Sequence, residues 1–244
     1  MEFEKIIAVR NNKTLYRDDN KCIKIFVSGY SKADVLNEAF KQSVAEELGI
    51  NVPYVYEVIC CDDKWALVSE YIKGKTLAHL IEEKPNGKEK YLKTLVKLQH
   101  SINSTECLML ETTYEKLFHN INNAKLGEAA KKRLLGLLSE LPCSSKLCHN
   151  DLKPSNIIIP DKGAPFVIDW ENASRGDPCI DVAGTYLRLL MNRDNSGAEL
   201  YLKYYCAKGD MSAEYVKKWL PLAAALLFVK SNASERAFLS EIIE

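Results

Sequence analysis

The spacing of apolar residues changes once along this chain, from a period of two to a period of three to four. Alternating runs occupy residues 4–9, 14–17, 21–27, 54–60 and 65–72. Asn11-Asn12, Asp18-Asp19-Asn20 and Asp62-Asp63-Lys64 separate them, the pattern of strands joined by tight turns. In 21–27 the alternation sets Cys22, Lys24 and Phe26 on one face and Ile23, Ile25 and Val27 on the other. One helix interrupts this part. After Ser31, a cap residue, Val35, Leu36, Ala39, Phe40, Val44 and Leu48 recur at helical spacing up to Gly49, which predicts a helix over 32–48.

Beyond residue 76 the helical period takes over. Tyr91, Leu92, Leu95, Val96, Leu98, Gln99 and Ile102 follow Pro85-Asn86-Gly87 at that spacing. Residues 76–140 read as all-helical, with separate helices at 113–124 and 126–141. Further helices are expected at 179–192, 198–207, 212–229 and 233–243. The exceptions are two apolar runs, Ile157-Ile158-Ile159 and Phe166-Val167-Ile168, on either side of Asp161, Gly163 and Pro165, which predict a hairpin. The fold class is therefore α+β.

That hairpin carries the chemistry. It is preceded by His149-Asn150-Asp151-Leu152-Lys153-Pro154-Ser155-Asn156 and followed by Asp169-Trp170-Glu171. Asp151 is suited to accept a hydrogen bond from an attacking hydroxyl. Asn156 and Asp169 offer a neutral and a charged oxygen to Mg²⁺, the parts of a metal-nucleotide phosphoryl-transfer site. Pro154 stiffens the turn after Asp151, and the returning strand is expected to deliver Asp169 beside Asn156. His149, Asp151, Asn156, the strand pair and Asp169 match a kinase catalytic loop in order and spacing. A polar turn in an ordinary hairpin is the plainer alternative. Lys24, flanked by apolar residues on its strand, is the candidate phosphate-contacting lysine. Lys21 is second, and a solvent-facing lysine is the plain reading. Glu38, Glu46 and Glu47 are the candidate partners that would hold it.

Three departures from protein kinases follow. Asn150 stands where they have Arg, Asp169-Trp170-Glu171 replaces Asp-Phe-Gly, and there is no long activation segment. Ile168-Asp169-Trp170, Ala173, Gly176-Asp177-Pro178, Asp181 and Ala183 together resemble the aminoglycoside phosphotransferase / choline kinase-like family. The resemblance covers most of the chain and is densest over 147–190. It implies a bilobal, protein kinase-like fold. A small lobe at 1–73, an antiparallel sheet plus one helix, would bind nucleotide. A larger, mostly helical lobe at 74–244 would hold the catalytic loop and the acceptor site. It also implies that Glu38 is the partner of Lys24, and that backbone at the crossover, Glu70, Tyr71 and Ile72, meets adenine. Asp181 would brace the catalytic loop, and Lys153 would approach the γ-phosphate unless it is a solvated loop lysine. A glycine-rich loop over the triphosphate is missing, because the first hairpin turns at Asn11-Asn12-Lys13.

Composition narrows the function classes. Thirty-three basic and 33 acidic residues cancel, which argues against a nucleic-acid footprint or a polybasic membrane patch. The stretch 219–229 is apolar but contains Pro221 and is too short to span a bilayer, and Met1-Glu2-Phe3-Glu4-Lys5 does not read as a secretory signal. Eight cysteines without a C-x-x-C spacing read as reduced thiols in a cytoplasmic protein, with Cys60 and Cys61 on opposite strand faces. The four histidines lack zinc-ligand spacing, and His100 reads as structural. Tyr201, Tyr204, Tyr205, Tyr215 and Trp219 read as core packing, with an acceptor-pocket lining as the alternative.

The expectation is an ATP- and Mg²⁺-dependent kinase acting on a hydroxyl of a small-molecule acceptor. A cationic acceptor would be welcomed by Glu171. However, only Glu235, Glu241 and Glu244 lie near the C-terminus, fewer carboxylates than an aminoglycoside pocket calls for. A nucleotide-binding regulator and a protein kinase are the competing readings. The sequence leaves the oligomeric state open.

Overall fold

The computed structural model describes residues 4–10, 12–209 and 211–244, so the expected turn at Asn11-Asn12 and the start of the chain lie partly outside the described residues. Backbone contacts divide the chain into two units. One is Met1–Leu80 with Ser155–Asn172, and the other is Ile81–Pro154 with Ala173–Glu244.

In the first unit, β1 (Lys5–Val9), β2 (Lys13–Asp18), β3 (Lys21–Phe26), β4 (Val55–Cys61) and β5 (Lys64–Glu70) form one antiparallel sheet in the order β1-β2-β3-β5-β4. Asp19, Asp62 and Asp63 take left-handed backbone in the turns, a conformation that short polar side chains tolerate. Cys60 is exposed and Cys61 buried, as alternation requires. Helix α1 (Lys32–Glu47) starts at Ser31, whose side chain and that of Asp34 form a reciprocal cap.

The face α1 buries differs from the expected one. Val35, Ala39 and Val44 are inside as predicted, but Leu36 and Phe40 are about half exposed, and Glu38, Lys41 and Gln42 are buried in their place. The helix is thus rotated toward its charged side. Val35 and Ala39 pack on Phe26 and Leu67, on the sheet face that carries Lys24. Ile23, Ala66 and Val68 build a separate cluster on the other face.

The hairpin β8 (Ile157–Pro160) and β9 (Phe166–Val167) also belongs to this unit, so its contacts divide the chain differently from a single cut after residue 73. The reason is an unforeseen strand, β6 (Gly74–Thr76), which pairs with β8. A Cβ at position 74 would sit 2.4 Å from the Ile159 carbonyl oxygen, so this approach of two backbones needs glycine. Asn51 adds to it, its side chain donating to the Pro165 carbonyl (2.9 Å) and its carbonyl accepting from the Val167 N–H (2.9 Å).

The second unit is mostly helical: α2 (Leu77–Glu83) leads in from the first unit, and α3 (Lys88–Ser104), α4 (Thr113–Asn123), α5 (Glu128–Ser139), α6 (Pro178–Met191), α7 (Asn195–Lys208), α8 (Ala213–Lys218), α9 (Leu220–Phe228) and α10 (Ala233–Ile243) follow. Three details correct the expectation. Residues 105–112 are non-helical. A two-stranded ribbon, β7 (Lys146–Cys148) with β10 (Ser174–Gly176), was not foreseen. The single helix expected over 212–229 is two, because Pro221 at the start of α9 has no N–H to continue the helix from α8. Tyr201, Tyr205 and Trp219 are buried, the core reading of the aromatic group; Tyr204 and Tyr215 are only partly covered. No helix among the described residues is long and apolar enough to cross a membrane.

Candidate functional site

The chemistry-bearing residues form two side-chain clusters, one in each unit.

In the first unit, β-sheet register explains which groups meet. Lys24 faces Leu15 across β2–β3 and Leu67 across β3–β5, so it lies on the face that α1 covers. Glu38 sits on α1 between Val35 and Ala39, which pack on that face, and its carboxylate accepts from the Lys24 ammonium. Lys24 Nζ also lies 3.2 Å from Asp169 Oδ1. Burial works against the charge on Lys24, but Asp169 and Glu38 outweigh it and hold the ammonium above the ordinary lysine range. Burial likewise pushes Asp169 up, while Lys24 and Lys13 pull it well below the usual carboxylate range. Both groups therefore stay charged at neutral pH.

Asp169 arrives as the strand pair predicts. Ile157 pairs with Val167, and the Ile168 N–H donates to the Asn156 carbonyl at 2.9 Å, which fixes Asp169 one residue beyond Asn156's backbone partner. Asp169 has left-handed backbone, φ 71°, a conformation that a short polar side chain tolerates. Its Oδ1 carries both ammonium contacts, while Oδ2 has no hydrogen-bond partner among the described residues. Glu38, Asp169 and Glu171 each place a carboxylate oxygen within 4.8 Å of the others. This oxygen-only donor set suits a hard divalent cation.

The remaining predicted residues of this unit are placed as follows. The Glu70 N–H donates to the Tyr54 carbonyl and the Tyr71 N–H to the Asn20 carbonyl, both at 2.8 Å. Among the described residues the Ile72 N–H meets no backbone acceptor. Glu46 and Glu47 lie on more exposed parts of α1, and Lys21 lies 5.9 Å over the Tyr56 ring, so neither alternative joins the cluster. The carboxylate of Glu171, expected to favour a cationic acceptor, lies 3.6 Å from Lys13 Nζ.

In the second unit the loop His149–Pro154 hangs on Asp181. Asp181 is buried on α6; its Oδ1 accepts from the Asn150 N–H at 2.7 Å, and its Oδ2 from the His149 N–H at 3.2 Å and the Asn103 side chain at 2.9 Å. This is the bracing role. Asn150 takes left-handed backbone, φ 59°, and its amide donates to Ser174 Oγ at 2.7 Å, which accounts for an Asn rather than an Arg here. Asp151, nearly buried, is held between two cations: Lys153 Nζ lies 2.8 Å from Oδ2, and Arg188 Nε 2.7 Å from Oδ1. The second contact is an ion pair outside hydrogen-bonding geometry.

Comparison with known proteins gives this arrangement a family. The model of the phosphotransferase enzyme family matches residues 5–215. The chain belongs to that family. None of the curated proteins matches it. Among solved structures, an aminoglycoside-3'-phosphotransferase of type VIII is 19% identical, with 91% of this chain and 93% of that one covered and a TM-score of 0.67. Choline kinase LicA from Streptococcus pneumoniae is 18% identical, with 100% and 92% covered and a TM-score of 0.69. A thermostable mutant of aminoglycoside phosphotransferase APH(4)-Ia is 14% identical, with 98% and 92% covered and a TM-score of 0.72. At these identities the likeness is one of fold.

Two residues of this phosphotransferase escaped the sequence reading. Arg188 lies seven residues after Asp181, two turns along the same face of α6, and that spacing was the available signal. Lys13 opens β2 opposite Phe26, while Leu15 is opposite Lys24, so the register puts the two lysines diagonally on one face. Its Nζ lies 2.7 Å from Asp169 Oδ1.

Proposed function

We propose that this phosphotransferase is an ATP-dependent small-molecule kinase that moves the γ-phosphoryl group to a hydroxyl. The observation that carries the reading is the Lys24–Glu38–Asp169 cluster, with Asp169 tied through the strand pair to Asn156. In it a buried lysine is held charged by two carboxylates, and one of those carboxylates keeps an oxygen free for metal.

Lys24 binds the α- and β-phosphates, and Glu38 holds its ammonium in place. The Ile72 amide is the backbone donor for adenine, beside Glu70 and Tyr71. Asp169 and Asn156 would hold Mg²⁺, which when bound draws charge from the transferring phosphoryl group. Asp151 orients the acceptor hydroxyl and takes its proton as the new oxygen–phosphorus bond forms and the bond to ADP breaks. Lys153 neutralises charge on the γ-phosphate. Asp181 fixes the loop that carries Asp151, so catalysis rests on positioning and charge neutralisation.

The acceptor belongs to the small hydroxyl compounds. Solved relatives include a ternary complex with AMP-PNP and hygromycin B and a LicA complex with AMP, which supports a nucleotide plus a small acceptor here. Glu235 reciprocally caps α10 and lies 3.8 Å from Arg188, so it adds little to a cationic pocket. All eight cysteines are unpaired, which suits a reducing compartment and a cytoplasmic enzyme.

The test is a thermal-shift titration with MgATP beside a coupled ADP-release assay over aminoglycosides, amino alcohols, sugars and vitamins. Stabilisation by MgATP that disappears in Asp169→Ala, with ADP release driven by one acceptor class, is the expected result. Stabilisation without acceptor-driven release would favour a nucleotide-binding regulator, and transfer only to a protein would favour a protein kinase.

A further inference from the structure

We propose that Lys13 is a second phosphate-binding lysine, seated on Asp169 until metal and nucleotide arrive and then transferred to the terminal phosphates. The inference rests on the nucleotide site described above. It answers a need of that site, because the first hairpin has no glycine-rich turn whose backbone could lie close over a triphosphate.

The position of Lys13 is fixed by backbone. Its carbonyl accepts from the Arg10 N–H at 2.8 Å, the Asn12 carbonyl accepts from the Val27 N–H at 3.0 Å, and Lys13 itself pairs with Phe26 on the neighbouring strand. The side chain is only 8% exposed. A lysine so buried carries a desolvation cost that its partners must offset. Its partners here are Asp169 Oδ1 at 2.7 Å and Glu171 Oε2 at 3.6 Å.

The two lysines of the cluster are not equivalent. Both ammonium groups contact the same oxygen of Asp169, and like charges that close repel. Lys24 has a second anchor, the buried carboxylate of Glu38. The second partner of Lys13 is beyond hydrogen-bond length. A divalent cation taken up at Asp169 adds a third positive charge, and Lys13 is the group with the weaker hold. The anions then within its reach are Glu171 and the phosphates that come with the metal. A flexible four-carbon stem on a fixed strand is suited to that change of partner. Lys13 thus acts first as a stand-in for the metal and then as a cover for the phosphates.

The experiment uses the full chain and three variants, Lys13→Met, Lys13→Arg and Lys24→Met. Affinities for adenosine and for Mg·AMP-PNP are measured by calorimetry, and Mn²⁺ alone is titrated by electron paramagnetic resonance. Lys13→Met keeps the apolar stem and removes the charge. It is expected to weaken Mg·AMP-PNP about tenfold, leave adenosine unchanged, and tighten Mn²⁺ binding several-fold without nucleotide. Lys13→Arg is expected to restore the preference for AMP-PNP over adenosine. If a folded Lys13→Met variant keeps that preference while Lys24→Met loses it, Lys13 is a structural counter-ion and the proposal fails with the nucleotide reading intact. If the wild-type protein binds none of these adenine compounds, the nucleotide reading fails and this inference with it.

Discussion

The two clusters hold their aspartates in different surroundings. In the first unit Asp169 lies beside two further carboxylates, Glu38 and Glu171, and two ammonium groups, Lys13 and Lys24, with Lys41 Nζ 3.3 Å from the Glu171 carbonyl. In the second unit Asp151 lies between Lys153 and Arg188, and Glu235 is 3.8 Å from Arg188. Three carboxylate oxygens that lie within 4.8 Å of one another favour added positive charge, as a metal would bring. Asp151, with a cation on each carboxylate oxygen, is pinned in position. The difference teaches that the two aspartates, similar in sequence context, are prepared for different work. In the proposed reaction Asp169 is assigned to the metal and Asp151 to the hydroxyl.

The comparison breaks most sharply on a pair of variants. Asp151→Asn and Asp169→Asn are each expected to lower phosphoryl transfer by about 10³-fold. Only Asp169→Asn should abolish the metal-dependent part of nucleotide stabilisation in a thermal-shift assay. If both variants lose that stabilisation alike, the division of roles is wrong.

Asp181→Ala comes next. It leaves the His149 and Asn150 amides and the Asn103 side chain without their acceptor in a buried place, and is expected to cost about 3 kcal/mol in urea unfolding. A loss near zero would mean that water replaces the carboxylate and that the loop does not depend on Asp181.

Lys24→Met sharpens the first cluster through pH. Asp169 is held low by Lys24 and Lys13 against burial, so in the wild-type protein it stays ionised down through the acid range, and metal-nucleotide stabilisation is expected to show no loss from Asp169 until strongly acid pH. Removing Lys24 lets burial raise the Asp169 pKa. Protons then compete with metal, and stabilisation should fade as pH drops through that higher value. An identical midpoint in both proteins would show that Lys24 does not set the charge of Asp169. Transfer by this variant should fall about 10²-fold.

Arg188→Met is the smallest change. The guanidinium contacts Asp151 out of hydrogen-bond alignment, so its contribution is to orientation. The kcat is expected to fall about tenfold with nucleotide affinity unchanged. An altered nucleotide affinity would tie Arg188 to the phosphates instead.

How much was legible varied with the range of the interaction. Ser31 and Asp34 capping α1, the turn at Asp62-Asp63, the hairpin of β8 and β9 and the bracing Asp181 are decided by neighbours a few residues away or by a motif of fixed spacing. Leu36 and Phe40 misled because periodicity shows that a helix has an apolar stripe but not which flank of it the sheet will cover. Strand β6 was invisible because three residues, Gly74 to Thr76, have no pattern of their own and pair only because β8 lies beside them. Lys13 and Arg188 look like any other surface cation in sequence. Each is identified most directly by the carboxylate it meets, 156 and 37 positions away along the chain.

By itself, then, the sequence determined the α+β class, the candidate loop from His149 to Asn156, and the delivery of Asp169 by the strand pair, since these follow from local periodicity and covalent spacing. The tertiary structure decided which unit the hairpin of β8 and β9 joins, which glutamate of α1 reaches Lys24, and which cations stand on the two aspartates. Burial makes those last pairings consequential. A charge taken out of water must find a partner, and long-range folding alone determines which partner is there.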